Sequence, residues 1–239
     1  MCETCRSGGI GRRDMLKFGA ATVVAMSFGA SSPADAAGGA PTALLPDEAL
    51  AALKLGNERY VSNPQLCSVD LAAKRSAVAD HQAPFATIIA CADSRVPPEL
   101  IFGGRGVGEL FVARNAGNLV DTATLGTVEY GAAVLGSPLI VVLAHTNCGA
   151  VKAACDVVAK NTTYPGAIGA MIAPILPAAL AVRDEPGDFV NNAAKESAKR
   201  TAARLAAAST VLGGLANSGK LKIASAMYDL DSGIVTYLE

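Results

Sequence analysis

Two short apolar segments, each ending abruptly in a cluster of polar residues, limit most strongly what this chain can fold into. Phe85–Ala90 is followed by Cys91-Ala92-Asp93-Ser94-Arg95, and Leu139–Ala144 is followed by His145-Thr146-Asn147-Cys148. Nearly unbroken apolar runs of this length are typical of strands buried on both faces, as in a parallel sheet. The chain therefore repeats one arrangement, in which a buried strand delivers reactive side chains at its carboxyl end.

Further strands and helices complete an alternating pattern. Strands are also predicted at Leu110–Arg114 and Lys222–Met227, and the tail from Tyr228 onward suggests two short strands around a turn at Asp231–Gly233. Helices are predicted over a segment that begins at Pro46, over Thr122–Leu135, over Ala150–Lys160, and over Ala167–Ala216 with interruptions at Pro174, Pro177 and Pro186. We therefore predict an α/β fold with a mostly parallel central sheet of four strands plus a short edge strand, helices on both faces and an N-terminal helical arm.

Composition narrows the class of protein. The chain has 239 residues, of which 51% are hydrophobic, which is enough for one domain with a substantial core. The formal net charge of −1 and the lack of a basic stripe argue against nucleic acid as a partner. No apolar run approaches the ~20 residues of a membrane-spanning helix, so no stable membrane anchor is predicted.

The first 37 residues differ from the rest of the chain. Arg12-Arg13 precedes the apolar stretch Phe18–Ala30, and the small residues Ala34 and Ala36 follow. This segment resembles a twin-arginine export signal with cleavage near Ala36 or Ala37, although a disordered basic tail is the alternative. We predict residues 1–37 as a signal peptide and 38–239 as an exported domain, periplasmic or extracellular.

Six cysteines bear on the redox state of the protein. Cys2 and Cys5 lie in the predicted signal and are assigned no role in the mature protein. Cys67 and Cys155 could form a disulfide after export, while packing or free thiols are an equal alternative. Because the twin-arginine route carries proteins already folded in the reducing cytoplasm, the other thiolates could bind a metal before meeting an oxidant.

Three side chains are predicted to form a metal site. In proteins with an open parallel sheet, bound molecules and ions lie beyond the carboxyl ends of the strands. Cys91 and His145 are predicted at those ends of two neighbouring strands. Cys148 follows three residues after His145, so a tight turn can direct it to the same ion. Two cysteines and one histidine favour zinc, and a set of three leaves the fourth position open for chemistry. The other histidine, His81, precedes the first strand and is predicted at its far end.

An aspartate and an arginine accompany the predicted metal ligands. Asp93 lies two residues after Cys91 and should point the same way, with Arg95 close enough to pair with it. The pair would supply an ionised carboxylate to accept a hydrogen bond from a metal-bound water. Each residue alone is more often structural, but the combination of C-x-D-x-R and H-x-x-C after matching strands indicates a catalytic site.

These two motifs resemble those of the β-class carbonic anhydrases. The resemblance spans essentially the whole predicted mature chain and is supported by four further segments: GNERY (Gly56–Tyr60), GELFVARNAGN (Gly108–Asn118), VEYGAAVLG (Val128–Gly136) and YDLDSG (Tyr228–Gly233).

The resemblance implies a zinc ion held by Cys91, His145 and Cys148, with Asp93 and Arg95 as the catalytic dyad. A zinc-bound hydroxide would attack carbon dioxide to give bicarbonate and a proton, and Asp93 would orient it. In some relatives the aspartate is itself the fourth zinc ligand of an inactive form, so Asp93 is a possible ligand too. Because two thiolates neutralise the ion, we expect a bound-water pKa above ~7 and hydration that improves toward alkaline pH.

Substrate-binding residues and assembly also follow from the resemblance. Gly149 and the Gly103–Arg105 region are candidates for binding bicarbonate, although the family often has a glutamine near the latter. The loop that includes Arg114 and Asn118 is expected mainly to support the site. The family implies a homodimer or homotetramer, with the N-terminal helix as a candidate for reaching across the interface.

Two alternative functions remain open from sequence. The same zinc site could hydrolyse carbonyl sulfide or carbon disulfide, since nothing in the motifs separates these substrates. A non-catalytic exported zinc-binding or redox-thiol protein is a further alternative. The Asp93–Arg95 pair argues against it, because metal storage does not need an oriented hydroxide.

Overall fold

The computed structural model of the chain describes residues 40–63 and 71–239. The predicted export signal, Cys2, Cys5 and Cys67 lie outside these ranges. Helices and strands alternate through most of the described chain. In chain order they are α1 Pro46–Ser62, α2 Leu71–Ala77, β1 Ala86–Cys91, α3 Pro98–Ile101, β2 Leu110–Asn115, α4 Thr122–Ala133, β3 Leu139–His145, α5 Gly149–Lys160, α6 Ala167–Ile172, a 3₁₀ turn Ala173–Ile175, α7 Leu176–Ala181, α8 Phe189–Ala208, α9 Thr210–Asn217, β4 Lys222–Tyr228 and β5 Val235–Leu238.

The strands form one sheet in the order β2-β1-β3-β4-β5. Strands β2, β1, β3 and β4 are parallel, and β5 pairs antiparallel with β4 at the edge. The predicted fold class is therefore confirmed. Because β1 and β3 are neighbours, their carboxyl ends, Cys91 and His145, emerge at the same edge of the sheet.

Alternation along the strands builds a core on each face of the sheet. Strands β1 and β3 are buried at every residue, as their apolar sequences require. On one face, Ile89 and Val142 belong to a cluster with residues of α5 and α8. On the other face, Ile88 and Val141 pack in a cluster with Leu53 of α1. Both faces are covered, and the helix that carries Leu53 is part of the second layer.

Several helix boundaries differ from the predicted ones. The long helical region breaks at Ser209, where the hydroxyl accepts a hydrogen bond from the Leu212 N–H at 3.0 Å and starts α9. Asp121 and Asp188 cap α4 and α8 in the same way. Helices α2 and α3 are short and were not predicted. A hydroxyl within an alanine-rich stretch gives little local sign that it will end one helix and begin another.

The tail differs in one respect from the predicted pair of short strands. The fourth strand continues to Tyr228, so the first predicted short strand is the end of β4. The turn that follows is held by the Asp229 carboxylate, which accepts hydrogen bonds from the Ser232 N–H at 2.8 Å and its hydroxyl at 2.7 Å. We refer to residues 229–234 as the C-terminal turn.

Helix α1 is tied to the body of the domain by two adjacent residues. A Cβ atom on Gly56 would lie 2.0 Å from the Phe102 carbonyl oxygen, so only glycine permits this backbone approach. The buried Asn57 donates hydrogen bonds to the carbonyls of Ile101 at 3.1 Å and Gly233 at 2.9 Å, and accepts one from the Val235 N–H at 2.9 Å. The GNERY segment therefore joins the first described helix to the last strand.

We expect Gly56→Ala to lower the free energy of unfolding by about 1–3 kcal/mol, because backbone atoms that cannot move cheaply occupy the place of the new methyl group. Gly126→Ala is the matched control, since Gly126 is an exposed residue of α4 and its Cβ would meet no atom within 4 Å. The control should be neutral or gain up to about 1 kcal/mol. Urea unfolding followed by circular dichroism measures both, and equal stability of the two variants would contradict the close packing of α1.

Among the described residues, no helix combines the length and the apolar character needed to cross a bilayer.

Candidate active site

Cys91, His145 and Cys148 meet at the carboxyl edge of the sheet. Their possible ligand atoms all lie within 4.8 Å of one another, and all three residues are buried. Cys91 ends β1, His145 ends β3, and Cys148 is the N-cap residue of α5. Asn147, with a φ of 55°, makes the sharp turn that brings Cys148 back beside His145.

The geometry of the three side chains fits a tetrahedral metal ion. The Cys91 and Cys148 sulfur atoms are 3.9 Å apart. Two sulfur ligands at about 2.3 Å from a tetrahedral zinc ion lie about 3.8 Å apart, so the pair already has the required separation. The Nε2 atom of His145 is buried and has no hydrogen-bond partner among the described residues. A buried nitrogen without a partner is costly unless it binds something, so the histidine also fits a ligand role.

The ring of His145 is fixed through its other nitrogen. Nδ1 lies 2.9 Å from the Thr146 carbonyl oxygen, which can only accept, so Nδ1 carries the proton and Nε2 presents its lone pair. Thr146 is held in turn, because its N–H donates to the Tyr228 carbonyl at 2.9 Å and its hydroxyl oxygen accepts from the Leu230 N–H at 3.0 Å. This is the arrangement by which a metal-binding histidine is normally oriented.

The surroundings of Cys91 favour its thiolate. The pKa of Cys91 is lowered to about 4, chiefly because the Cys148 thiol donates a hydrogen bond to it, with further donors that include the Gly117 N–H at 3.3 Å. The pKa of Cys148 is raised because that thiol is the donor to Cys91. The Gly117 N–H points at the Cys91 sulfur and independently favours a negative charge there. A negative sulfur is the form that binds a metal.

Asp93 and Arg95 form the predicted pair beside these residues. Arg95 donates to both carboxylate oxygens of Asp93, from Nε at 2.9 Å and from a terminal nitrogen at 2.8 Å, and its backbone N–H adds a third bond at 3.0 Å. These bonds hold the pKa of Asp93 well below its usual range, so the carboxylate stays ionised. Its Oδ2 atom lies 3.9 Å from Nε2 of His145. The carboxylate is therefore next to the three-residue group and both its oxygens are engaged by Arg95.

Arg114 has a more specific position than the sequence suggested. Its guanidinium donates to the Cys91 carbonyl at 2.9 Å and to the Asp93 carbonyl at 2.6 Å, so it braces the backbone on both sides of Ala92. The sequence predicted support for the site from this loop without these partners. Asn118 follows in the same loop, is almost fully buried, and has a side-chain nitrogen without a partner among the described residues.

The predicted substrate-binding residues lie in two different places. Gly149 is exposed at the start of α5, directly after Cys148. Gly103 packs against Gly56, and Arg105 donates to the Ala52 carbonyl and lies over the Phe85 ring at 5.0 Å. The contacts of the Gly103–Arg105 region are thus with α1 and the start of β1, and its role in binding bicarbonate stays a prediction.

Two other predicted residues lie outside the three-residue group. Cys155 is buried on α5, and because Cys67 is not among the described residues, their disulfide stays a prediction. Tyr228 is buried, with its hydroxyl 3.4 Å from that of Tyr60, and it packs in the core beneath α1.

Comparison with known proteins places this site in a family. The family model described as carbonic anhydrase matches residues 86–235. The chain is 38% identical over 188 residues to carbonic anhydrase 2 of Mycobacterium tuberculosis, covering 79% of this chain and 90% of that protein. It is 34% identical over 190 residues to a carbonic anhydrase of Mycolicibacterium smegmatis, covering 80% and 92%.

A solved structure gives the same result. The Coccomyxa β-carbonic anhydrase has a TM-score of 0.59 and 26% identity, covering 82% of this chain and 87% of that one. The matched regions contain β1 and β3 with the cysteine, histidine and aspartate clusters that follow them. The chain therefore belongs to the β-class carbonic anhydrase family.

Proposed function

We propose that this protein catalyses the reversible hydration of carbon dioxide to bicarbonate and a proton, with a zinc ion held by Cys91, His145 and Cys148. The main support for the proposal is the position of the Asp93 carboxylate, which Arg95 holds by hydrogen bonds beside Cys91, His145 and Cys148. Its Oδ2 atom lies 3.9 Å from Nε2 of His145. Zinc, when bound, acts as a Lewis acid that lowers the pKa of water.

The protein's own contribution is to orient the attacking water. Asp93 is ionised and can only accept a hydrogen bond, so a water that donates to it presents a lone pair elsewhere, toward carbon dioxide. A carboxylate with so low a pKa is also a weak base. Asp93 therefore orients the water and does not carry away the released proton. Arg95 keeps the carboxylate ionised and fixed in direction, and Arg114 fixes the backbone that bears it.

Stopped-flow measurement of carbon dioxide hydration by the zinc-loaded protein tests the proposal. We expect a rate far above the uncatalysed one that rises from about pH 7 to about pH 9, because two thiolate ligands should place the pKa of the water above ~7. A zinc-loaded protein without activity over this range would overturn the proposal. Parallel assays with carbonyl sulfide and carbon disulfide identify the hydrolase alternative, and zinc binding without turnover identifies the storage alternative.

We further propose that residues 1–37 direct export through the twin-arginine route, which places the enzyme in the periplasm or outside the cell. Support comes from Arg12-Arg13, the short apolar stretch after it and the small residues near Ala36. Cell fractionation of the full chain and of a variant with both arginines changed to lysine is the test. Retention of the variant inside the cell is expected, and equal export of both proteins would contradict the proposal.

We also propose that the protein assembles as a homodimer or homotetramer. A tetrameric state is described for the β-carbonic anhydrases of Sordaria macrospora, which share this fold. Exposed apolar side chains on α1, such as Leu55 and Val61, are consistent with a contact surface on the predicted arm. Light scattering after size exclusion gives the mass, and a monomer at micromolar concentration would contradict the proposal.

A further inference from the structure

Thr146 connects the histidine of the active site to the C-terminal turn. Its carbonyl oxygen lies 2.9 Å from Nδ1 of His145, its N–H donates to the Tyr228 carbonyl, and its hydroxyl oxygen accepts from the Leu230 N–H at 3.0 Å. Thr146, which follows the proposed metal ligand His145, is thus bonded through its N–H and its hydroxyl group to one segment, residues 228–230.

That segment is itself rigidly held. Within the turn, the Asp229 carboxylate accepts two hydrogen bonds from Ser232. The Asp229 N–H donates to the Ile234 carbonyl at 2.9 Å, and the Gly233 N–H donates to the Asp229 carbonyl at 3.0 Å. Asn57 of α1 binds its far end. The anchor for Thr146 is therefore a closed network of hydrogen bonds.

The direction of a carbonyl group is set by the orientation of its peptide plane. The backbone N–H and the hydroxyl of Thr146 hold that residue at two points, so its carbonyl stays aimed at Nδ1. The ring of His145 can then rotate little, which keeps the buried Nε2 directed at the group formed with Cys91 and Cys148. Partners of this kind commonly change metal affinity by 10–100-fold when they are removed.

We propose that Thr146 is a positioning residue for zinc binding, and that its hydroxyl group transmits the position of the C-terminal turn to the imidazole of His145. The inference rests on the proposed function, because it assumes that His145 is a zinc ligand. The inference assigns a role to Thr146, a residue that is not itself a proposed metal ligand. It also gives a physical link between the metal site and a turn more than eighty positions away in the sequence.

The test compares zinc affinity in Thr146→Val and Thr146→Ser. Valine keeps the branched shape and removes the acceptor for the Leu230 N–H, whereas serine keeps the hydroxyl group. Thr236→Val is the matched control, because Thr236 is an exposed residue of β5. Affinity is measured by competition with a chromophoric chelator, and the visible spectrum of the cobalt-substituted protein reports the geometry of the site independently of activity.

We expect Thr146→Val to weaken zinc binding by about 10-fold or more and to shift the cobalt spectrum, with Thr146→Ser and Thr236→Val close to the wild type. A folded Thr146→Val protein with wild-type affinity and spectrum would overturn the inference, even if its melting temperature fell. If Thr146→Val does not fold, Ser232→Ala loosens the turn more gently. Weakened zinc binding in that variant is then expected, and unchanged binding overturns the inference. Failure of the wild type to bind zinc would instead refute the proposed function.

Discussion

Asp93→Ala should lower the rate of carbon dioxide hydration by about 10²–10³-fold while the protein keeps its zinc. The change removes the acceptor that we propose orients the attacking water, and it leaves Cys91, His145 and Cys148 in place. Arg95, which donates three hydrogen bonds to Asp93, then loses its partner and no longer fixes any group at the site. Stopped-flow rates and the zinc content of the same samples are the two measurements.

Asp156→Ala is the matched control for this change. Asp156 is also a carboxylate paired with cations, Lys152 at 2.6 Å and Lys160 at 2.9 Å, but it lies on α5 away from the three-residue group. Exposed pairs of this kind contribute little to stability, so the control should retain its rate and its fold. A wild-type rate in Asp93→Ala would show that water is oriented by other groups, whereas a loss of zinc in that variant would show that Asp93 is itself a ligand.

Cys148→Ala should weaken zinc binding by more than about 100-fold and abolish hydration, because one of the three proposed protein ligands is lost. Cys155→Ala is a close control, since Cys155 is also buried and lies seven positions further along the same helix. There the expected effect is a loss of about 1 kcal/mol in stability from the small cavity, with zinc content and rate unchanged.

The same pair of variants separates the metal role from packing. A strong chelator should remove zinc and activity from the wild type and from Cys155→Ala, and added zinc should restore both. Equal zinc content in Cys148→Ala and Cys155→Ala would contradict the assignment of Cys148 as a ligand. Equal loss of zinc in the two variants would mean that zinc binding depends on the packing of buried cysteines on α5. It would not then require a sulfur ligand at position 148.

The parts of the fold that the sequence predicted well are those determined by local pattern. Strands β1 and β3 are apolar at nearly every position, and burial on both faces leaves no other arrangement for them. Once both are parallel neighbours, the polar residues that follow each strand must share one edge. The closeness of Cys91, His145 and Cys148 was therefore predictable without knowledge of the family.

The features that the sequence did not predict depend on contacts between distant residues. Nothing in the sequence around Arg114 distinguishes it from other arginines at strand ends. Its hydrogen bonds to the carbonyls of Cys91 and Asp93 form because β2 lies beside β1. Thr146 is similarly unremarkable until β4 is paired with β3. Asn57 bonds to Gly233, 176 positions away, and no local pattern carries that information.

The bonds of Asn57 and Thr146 also determine when the site is completed during synthesis. All three proposed zinc ligands are synthesised before the residues of this network, because Leu230, Gly233 and Val235 come more than eighty positions after them in the sequence. The nascent chain therefore carries two cysteines and a histidine without their final orientation until residues 228–235 have been made. On this proposal, binding of the metal in its final geometry follows synthesis of the C-terminal turn, and a ribosome stalled shortly before residue 228 would hold a chain with every proposed ligand present and no finished site.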